Sequence, residues 1–291
     1  MAKLSDRLRM ALTEDAPEDP KVISIEDLQE AEAFADDLEE MFGELADMLS
    51  QGPEIEEPLH ALYIEANRVM ALMQLMLHVD EDFQKHSKKA NKILDEWFVK
   101  DPEVQAILLS HLNPYLSCDL PIGRGTETLA SLFLELGDLY PIEDIVLEAV
   151  ANLSQSYHSL FEIEAIGPEG LIRLRDIVLG RTVQVAWILA DQPQVGRIVL
   201  ARLLPPIRAF EFDYWVCMTS PIYFLQTTAE GWQKRLSKKG VMGGDISAEQ
   251  QLATVMKRDF HIDWWLRQLI EKVRSENFAL YYRGYPASFG R

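Results

Sequence analysis

Leu160-Phe161-Glu162-Ile163-Glu164-Ala165-Ile166-Gly167-Pro168-Glu169-Gly170-Leu171-Ile172-Arg173-Leu174-Arg175-Asp176 alternates apolar and charged residues on both sides of a Gly-Pro-Glu-Gly turn signal. Successive side chains of a strand point to opposite faces, so this alternation predicts two half-buried strands. The β-type pattern continues to Met218 and divides into five candidate strands: 160–166, 171–176, 182–189, 197–204 and 210–218. Gly180 and Gly196 punctuate the turns between them. Strands this short at this spacing predict a closed or partly closed barrel. Phe210-Glu211-Phe212-Asp213-Tyr214 alternates cleanly, which leaves one of its faces wet.

On either side of this block the hydrophobic period is helical. Residues 1–22 end in an acidic, proline-bearing run and read as a mobile acidic arm. Ser24 and Asp27 open a helix expected to reach Ser50. Pro58 suits the first turn of a helix running to Val79, with Glu56 and Glu57 at its positive end. Asp80 opens a polar helix to Lys100, and Asp101-Pro102-Glu103 starts another through His111. Pro114 and Pro121 are placed in a loop. Two more helices follow, at 126–137 and 142–157. After Pro221 a helix is expected to carry Phe224, Leu225, Ala229 and Trp232, and Ser247 with Gln250 caps a last helix to Ser275. The boundaries are then an arm at 1–22, a helical domain at 23–158, a barrel at 159–219 and C-terminal helices at 220–291 that pack back on the helical domain. The fold class is α+β, with an SH3-like or OB-like five-stranded barrel.

The chain has 291 residues and a formal net charge of −19. Residues 1–150 carry 11 Lys/Arg against 33 Asp/Glu, and the remainder 17 against 14. Nucleic-acid affinity comes largely from cations that neutralise phosphates, so the first half disfavours such a partner. The two cysteines, Cys118 and Cys217, lack metal-type spacing, which excludes a disulfide framework or a Cys-rich zinc site. Asp119 beside Cys118 raises rather than lowers the thiol pKa, so Cys118 is a poor nucleophile. The opening residues lack an apolar signal region. The most lipid-like stretch, Val69 to Val79, is shorter than the roughly 20 residues a membrane span takes. A cytoplasmic location without membrane attachment is expected.

A family resemblance rests on Phe161-Glu162-Ile163, on Leu174-Arg175-Asp176 with Gly180 four residues on, on Val183 and Val185, and on Gly196 before Val199-Leu200-Ala201-Arg202-Leu203. Together these resemble the small β module of uncharacterised bacterial proteins that often carry a C-terminal zinc-binding SEC-C motif. The likeness covers about a fifth of the chain and implies a fold, not an activity. The zinc motif is absent, so nothing that depends on it carries over.

Four residue sets are candidates for chemistry. His78, Asp82 and His86 recur at i, i+4 and i+8 and are of metal-ligating type, although ideal helical geometry makes them drift around the axis. Gly123-Arg124-Gly125-Thr126 precedes a helix, where bare backbone N–H groups and a cation suit an anion; the competing reading is a loop capped by Thr126. Arg173, Arg175, Trp187 and Arg202 are candidates for single-stranded nucleic acid, because small barrels stack bases on aromatics in a basic groove. Residues 160–218 nevertheless hold six arginines against seven acids, and cross-strand ion pairing is the alternative. Trp264, Trp265, Tyr281 and Tyr282 are candidates for a protein partner. The methionine row Met70, Met73 and Met76 reads as bundle core. No nucleophile elbow, zincin motif or Walker loop occurs, and no catalytic residue or cofactor is assigned. The sequence therefore points to a non-catalytic interaction or scaffold protein, binding another protein or itself. Single-stranded nucleic-acid binding is the alternative, and a metal-dependent enzyme the third reading.

Overall fold

The helix ahead of the barrel shows how this chain closes its elements. Pro58–Met76 (α2) begins with a proline whose missing N–H costs nothing in a first turn. The Glu57 carboxylate accepts from the Leu59 and His60 amides, as first-turn amides have no carbonyl four residues back within the helix. Leu59, Tyr63, Ala66 and Met70 then fall on one face and are buried. This computed structural model describes residues 3–13, 57–76, 81–96, 98, 100, 102–122, 126–137, 142–167, 170–187, 193–224, 227–238, 247, 278–282 and 285–289. The helix expected at 24–50, most of that expected at 247–275, and the side chains of Met73 and Met76 lie outside the described part.

Leu4–Thr13 (α1) precedes α2; Glu81–Glu96 (α3), Pro102–Cys118 (α4), Leu129–Leu136 (α5) and Asp144–Gln155 (α6) follow it. Residues 4–13 are therefore helical rather than a mobile arm. Leu4 and Leu8 sit in the helical core, and the Leu4 and Ser5 amides both donate to the Glu127 carboxylate at 2.9 Å. Burial alone would raise that carboxyl; the Ser5 and Leu4 amides outweigh it and hold the group below its usual range. α4 runs seven residues past His111, with Pro114 inside it. A proline breaks a helix unless packing compensates, and here Ile107, Leu108, Leu112, Tyr115 and Cys118 are buried along its length. α5 starts at a capping box between Thr128 and Ser131, so Thr128 rather than Thr126 is its cap.

The barrel strands are His158–Ile166 (β1), Leu171–Asp176 (β2), Thr182–Ala186 (β3), Ile198–Leu204 (β4) and Trp215–Cys217 (β5). β1 pairs with β2 and β4, and β2 with β3, all antiparallel. Two residue pairs, Val185 with Trp215 and Ala186 with Val216, join β3 to β5 in parallel, and β5 returns to β4. The ring is thus closed, five-stranded and mixed. A register shift in β1 between Ile163 and Ala165 bends that strand, as closure requires. Gly196, at φ +84°, turns the chain into β4 with its N–H donating to Ile163 O, a left-handed conformation that L side chains resist. The interior is filled by residues that include Phe161, Ile163, Leu174, Val199, Leu203 and Cys217.

Two departures follow the barrel. Ile222–Phe224 (β6) is a strand lying beside the start of β4, not the head of a helix; Phe224 packs edge-on to Trp232 at 5.1 Å. The helix begins only at Ala229 and runs to Lys238 (α7), burying Trp232 and Leu236. Phe278–Tyr282 (β7) and Tyr285–Phe289 (β8) form a hairpin whose first strand pairs with β6, which gives the aromatic C-terminal stretch its backbone partner. The chain is α+β, with helices before and after the barrel. The helical unit and the barrel share one core, because Leu204, Ile207 and Val216 pack with the residues of α1, α2, α5 and α6. No helix among the described residues is long and apolar enough to cross a membrane.

Candidate functional site

Arg202 is the one charge in the apolar run Val199–Leu204, and every side chain of β4 is buried. A buried cation needs a counter-ion and full hydrogen bonding. Asp119, immediately after α4, supplies the counter-ion through a two-pronged contact at 2.6 and 3.2 Å. The C-terminal end of α6 supplies the rest: Nε donates to Ser156 Oγ at 2.7 Å, and Nη2 to the carbonyls of Ser156 and Leu153 at 2.9 and 3.3 Å. Carbonyls at the last turn of a helix lack the amide four residues on, and the negative helix end favours a cation; Leu153 O is shared with the Ser156 amide and hydroxyl. Burial works against the guanidinium's charge, but Asp119 and Cys118 outweigh it and raise its pKa. Three elements distant in sequence are thereby tied to one side chain.

Two imidazoles stack beside this pair. His111 of α4 and His158 of β1 lie 5.2 Å apart, 23° from parallel. His111 Nε2 donates to Ser220 O at 2.7 Å, which leaves Nδ1 as an acceptor with no partner among the described residues; His158 Nε2 is likewise buried without one among them. Burial first, and then the neighbouring Arg202 charge, pushes the His111 pKa down to about 4. Burial, His111 and Arg202 lower His158 well below its usual value. Both rings are neutral at neutral pH. Arg202 and His111 are fully enclosed, and the cluster acts as a lock between helices and barrel.

On the outside of the barrel, Arg173 pairs with Glu164 at 3.2 Å, and Arg175 with both Glu162 and Glu164. Trp187 is 8% exposed and meets Tyr223 edge-on. The four residues assigned to nucleic acid thus form no common groove: two arginines lie in an ion-pair ladder, one is sealed inside the lock, and the ring is buried. Arg181 is exposed and stacks over Tyr157 and Trp215 at 5.1 and 4.8 Å.

Asp82 and His86 lie on α3, where Asp82 pairs with Lys85 at 3.7 Å and His86 is buried against Phe83. His78 lies outside the described residues, and among those described no three candidate ligands converge. Gly123, Arg124 and Gly125 are also outside them, and Thr126 is exposed. Trp264 and Trp265 are outside as well. Tyr281 and Tyr282 belong to β7, opposite Pro286 and Tyr285.

A further surface lies at Phe210–Tyr214, just before β5. Phe210 and Phe212 are 5.2 Å apart, as are Phe212 and Tyr214, and all three pack half-buried against the shared core. Glu211 and Asp213 between them are exposed. Tyr214 donates to Glu57 at 2.7 Å; burial and the Glu57 charge raise its pKa. The expected strand 210–218 therefore contributes only residues 215–217 to the barrel.

Sequence reasoning missed the lock's partners. The available signal was Arg202 itself, since a charge amid an apolar strand demands a buried acid; which acid depended on the tertiary fold. No family model, curated protein or solved structure matches the chain.

Proposed function

We propose that this chain is a non-catalytic interaction protein, cytoplasmic, in which a filled barrel is held rigidly on a helical scaffold. The observation that carries this reading is the lock at Arg202: the Arg202–Asp119 pair is enclosed, hydrogen-bonded to the end of α6 and used to fix two parts of the fold. Such burial serves placement of surfaces, not turnover. The barrel interior is occupied by side chains, which is the ordinary filling of a small barrel rather than a ligand cavity. A kinship with the bacterial SEC-C-associated β module belongs to the same proposal at the level of fold; Cys118 and Cys217 are both buried and supply no zinc motif.

Affinity capture with the purified full chain tests the reading. A stable, stoichiometric protein partner or a defined homo-oligomer supports it. No partner and no self-association, together with turnover on a metabolite panel, overturns it. Polarisation with labelled oligo-dT and oligo-U addresses the nucleic-acid alternative. That alternative requires tight binding at low salt that weakens steeply as salt rises. Elemental analysis showing a stoichiometric bound metal would instead favour the metal-enzyme reading.

A further inference from the structure

Residues 211–213 lead directly into β5, yet Glu211, Phe212 and Asp213 make no backbone hydrogen bond to the described residues. Exposure alternates along them, with acids outward and rings inward, as in a strand that lacks a neighbour. An unpaired strand with a regular side-chain period is a template for another strand. The surroundings set the chemistry of the guest. Glu211 and Asp213 are exposed, Glu57 sits against Tyr214, and Glu148 accepts the Arg208 amide at 2.8 Å. Exposed Arg208, at the start of the segment, is the nearest cation along the chain. A second copy is a poor guest: antiparallel self-pairing about Phe212 sets Glu211 against Asp213, and like charges directly opposite repel. The acidic first half of this chain is a poor guest for the same reason.

Resting on the interaction reading above, we propose that Phe210–Tyr214 is a docking strand for an extended segment of another protein that alternates basic and apolar residues. Backbone hydrogen bonds join the two edges; lysine or arginine side chains meet Glu211 and Asp213, and the apolar ones lie along the Phe210-Phe212-Tyr214 row.

The test uses the full chain with two labelled peptides, one alternating lysine and valine, the other glutamate and valine. Anisotropy is expected to show binding of the lysine peptide only. Asp213→Pro, which removes one N–H at an exposed position, should weaken binding at least about tenfold. Glu211→Lys with Asp213→Lys should reverse the preference. Amide exchange of residues 211–214 in the wild type should slow on adding the lysine peptide, a readout that does not depend on the variants folding. Lysine-peptide binding unchanged in both variants, absence of binding, or self-association abolished by the double lysine variant each overturns the proposal. Captured partners separate this failure from that of the broader reading. A partner held equally by wild type and variants sinks the docking strand alone, whereas no partner and no self-association, together with turnover on a metabolite panel, sinks the interaction reading.

Discussion

Replacing Asp119 by alanine should be among the most damaging single changes in this chain. The Arg202 guanidinium is 0% exposed and has Asp119 as its counter-ion at 2.6 Å. After Asp119→Ala it still donates to Ser156 Oγ and to the Ser156 and Leu153 carbonyls, so its hydrogen bonds survive in part while its charge stands alone. Breaking a buried pair from one side costs about 3–5 kcal/mol. That is a large share of the roughly 5–15 kcal/mol by which domains are stable. With a urea slope of about 1–3 kcal/mol per molar, the midpoint should fall by at least about 1 M. Asp119→Leu combined with Arg202→Met removes both charges. Most of the loss should return, because apolar replacement of a buried pair is often neutral. Urea unfolding followed by tryptophan fluorescence and by circular dichroism measures all three proteins. A loss below about 1 kcal/mol for Asp119→Ala, or a double variant no better than the single one, would refute the idea that the charge is buried and pair-dependent.

Acid should weaken the same junction. His111 and His158 are held neutral in the fold with pKa values below that of the unfolded chain, so the unfolded state binds more protons below about pH 6.5 and stability declines as pH falls. For His111 the decline runs from about 6.5 to about 4 and amounts to roughly 3 kcal/mol; His111→Phe should flatten the pH slope by one proton, and an unchanged slope would contradict the assignment. Thr128→Ala removes the cap of α5 and should cost about 1 kcal/mol in thermal or urea unfolding. Arg175→Gln opens the outer ladder, where partial exposure limits the loss to less than about 1 kcal/mol, and should leave oligonucleotide polarisation unaltered; weakened binding would restore the nucleic-acid reading. Gly196→Ala at φ +84° meets no neighbour, so its cost of about 1–2 kcal/mol should come from backbone strain alone; a neutral result would count against that turn geometry.

The periodicity of the sequence was sufficient to locate the barrel. Period-two alternation in Leu171–Asp176 and the glycine turns after it are local properties, and the strands there lie where the alternation predicts. The Pro58 helix and the α+β class were legible for the same reason. Local pattern misled where burial overrode propensity: Pro114 lies inside α4 because both flanks are packed, and Ile222–Phe224 became a strand because the start of β4 had an edge to fill. Cross-strand pairing of Glu162 and Glu164 with Arg173 and Arg175 was foreseeable from shared parity, since neighbours in a hairpin register face the same side. The lock was not. Asp119, Ser156 and Arg202 are separated by up to 83 residues, and only packing of α4 and α6 on β4 brings them within hydrogen-bonding distance. Elements are set by near neighbours along the chain and can be read from it. Which buried charge meets which acid is set by how those elements pack, and that belongs to the tertiary structure alone.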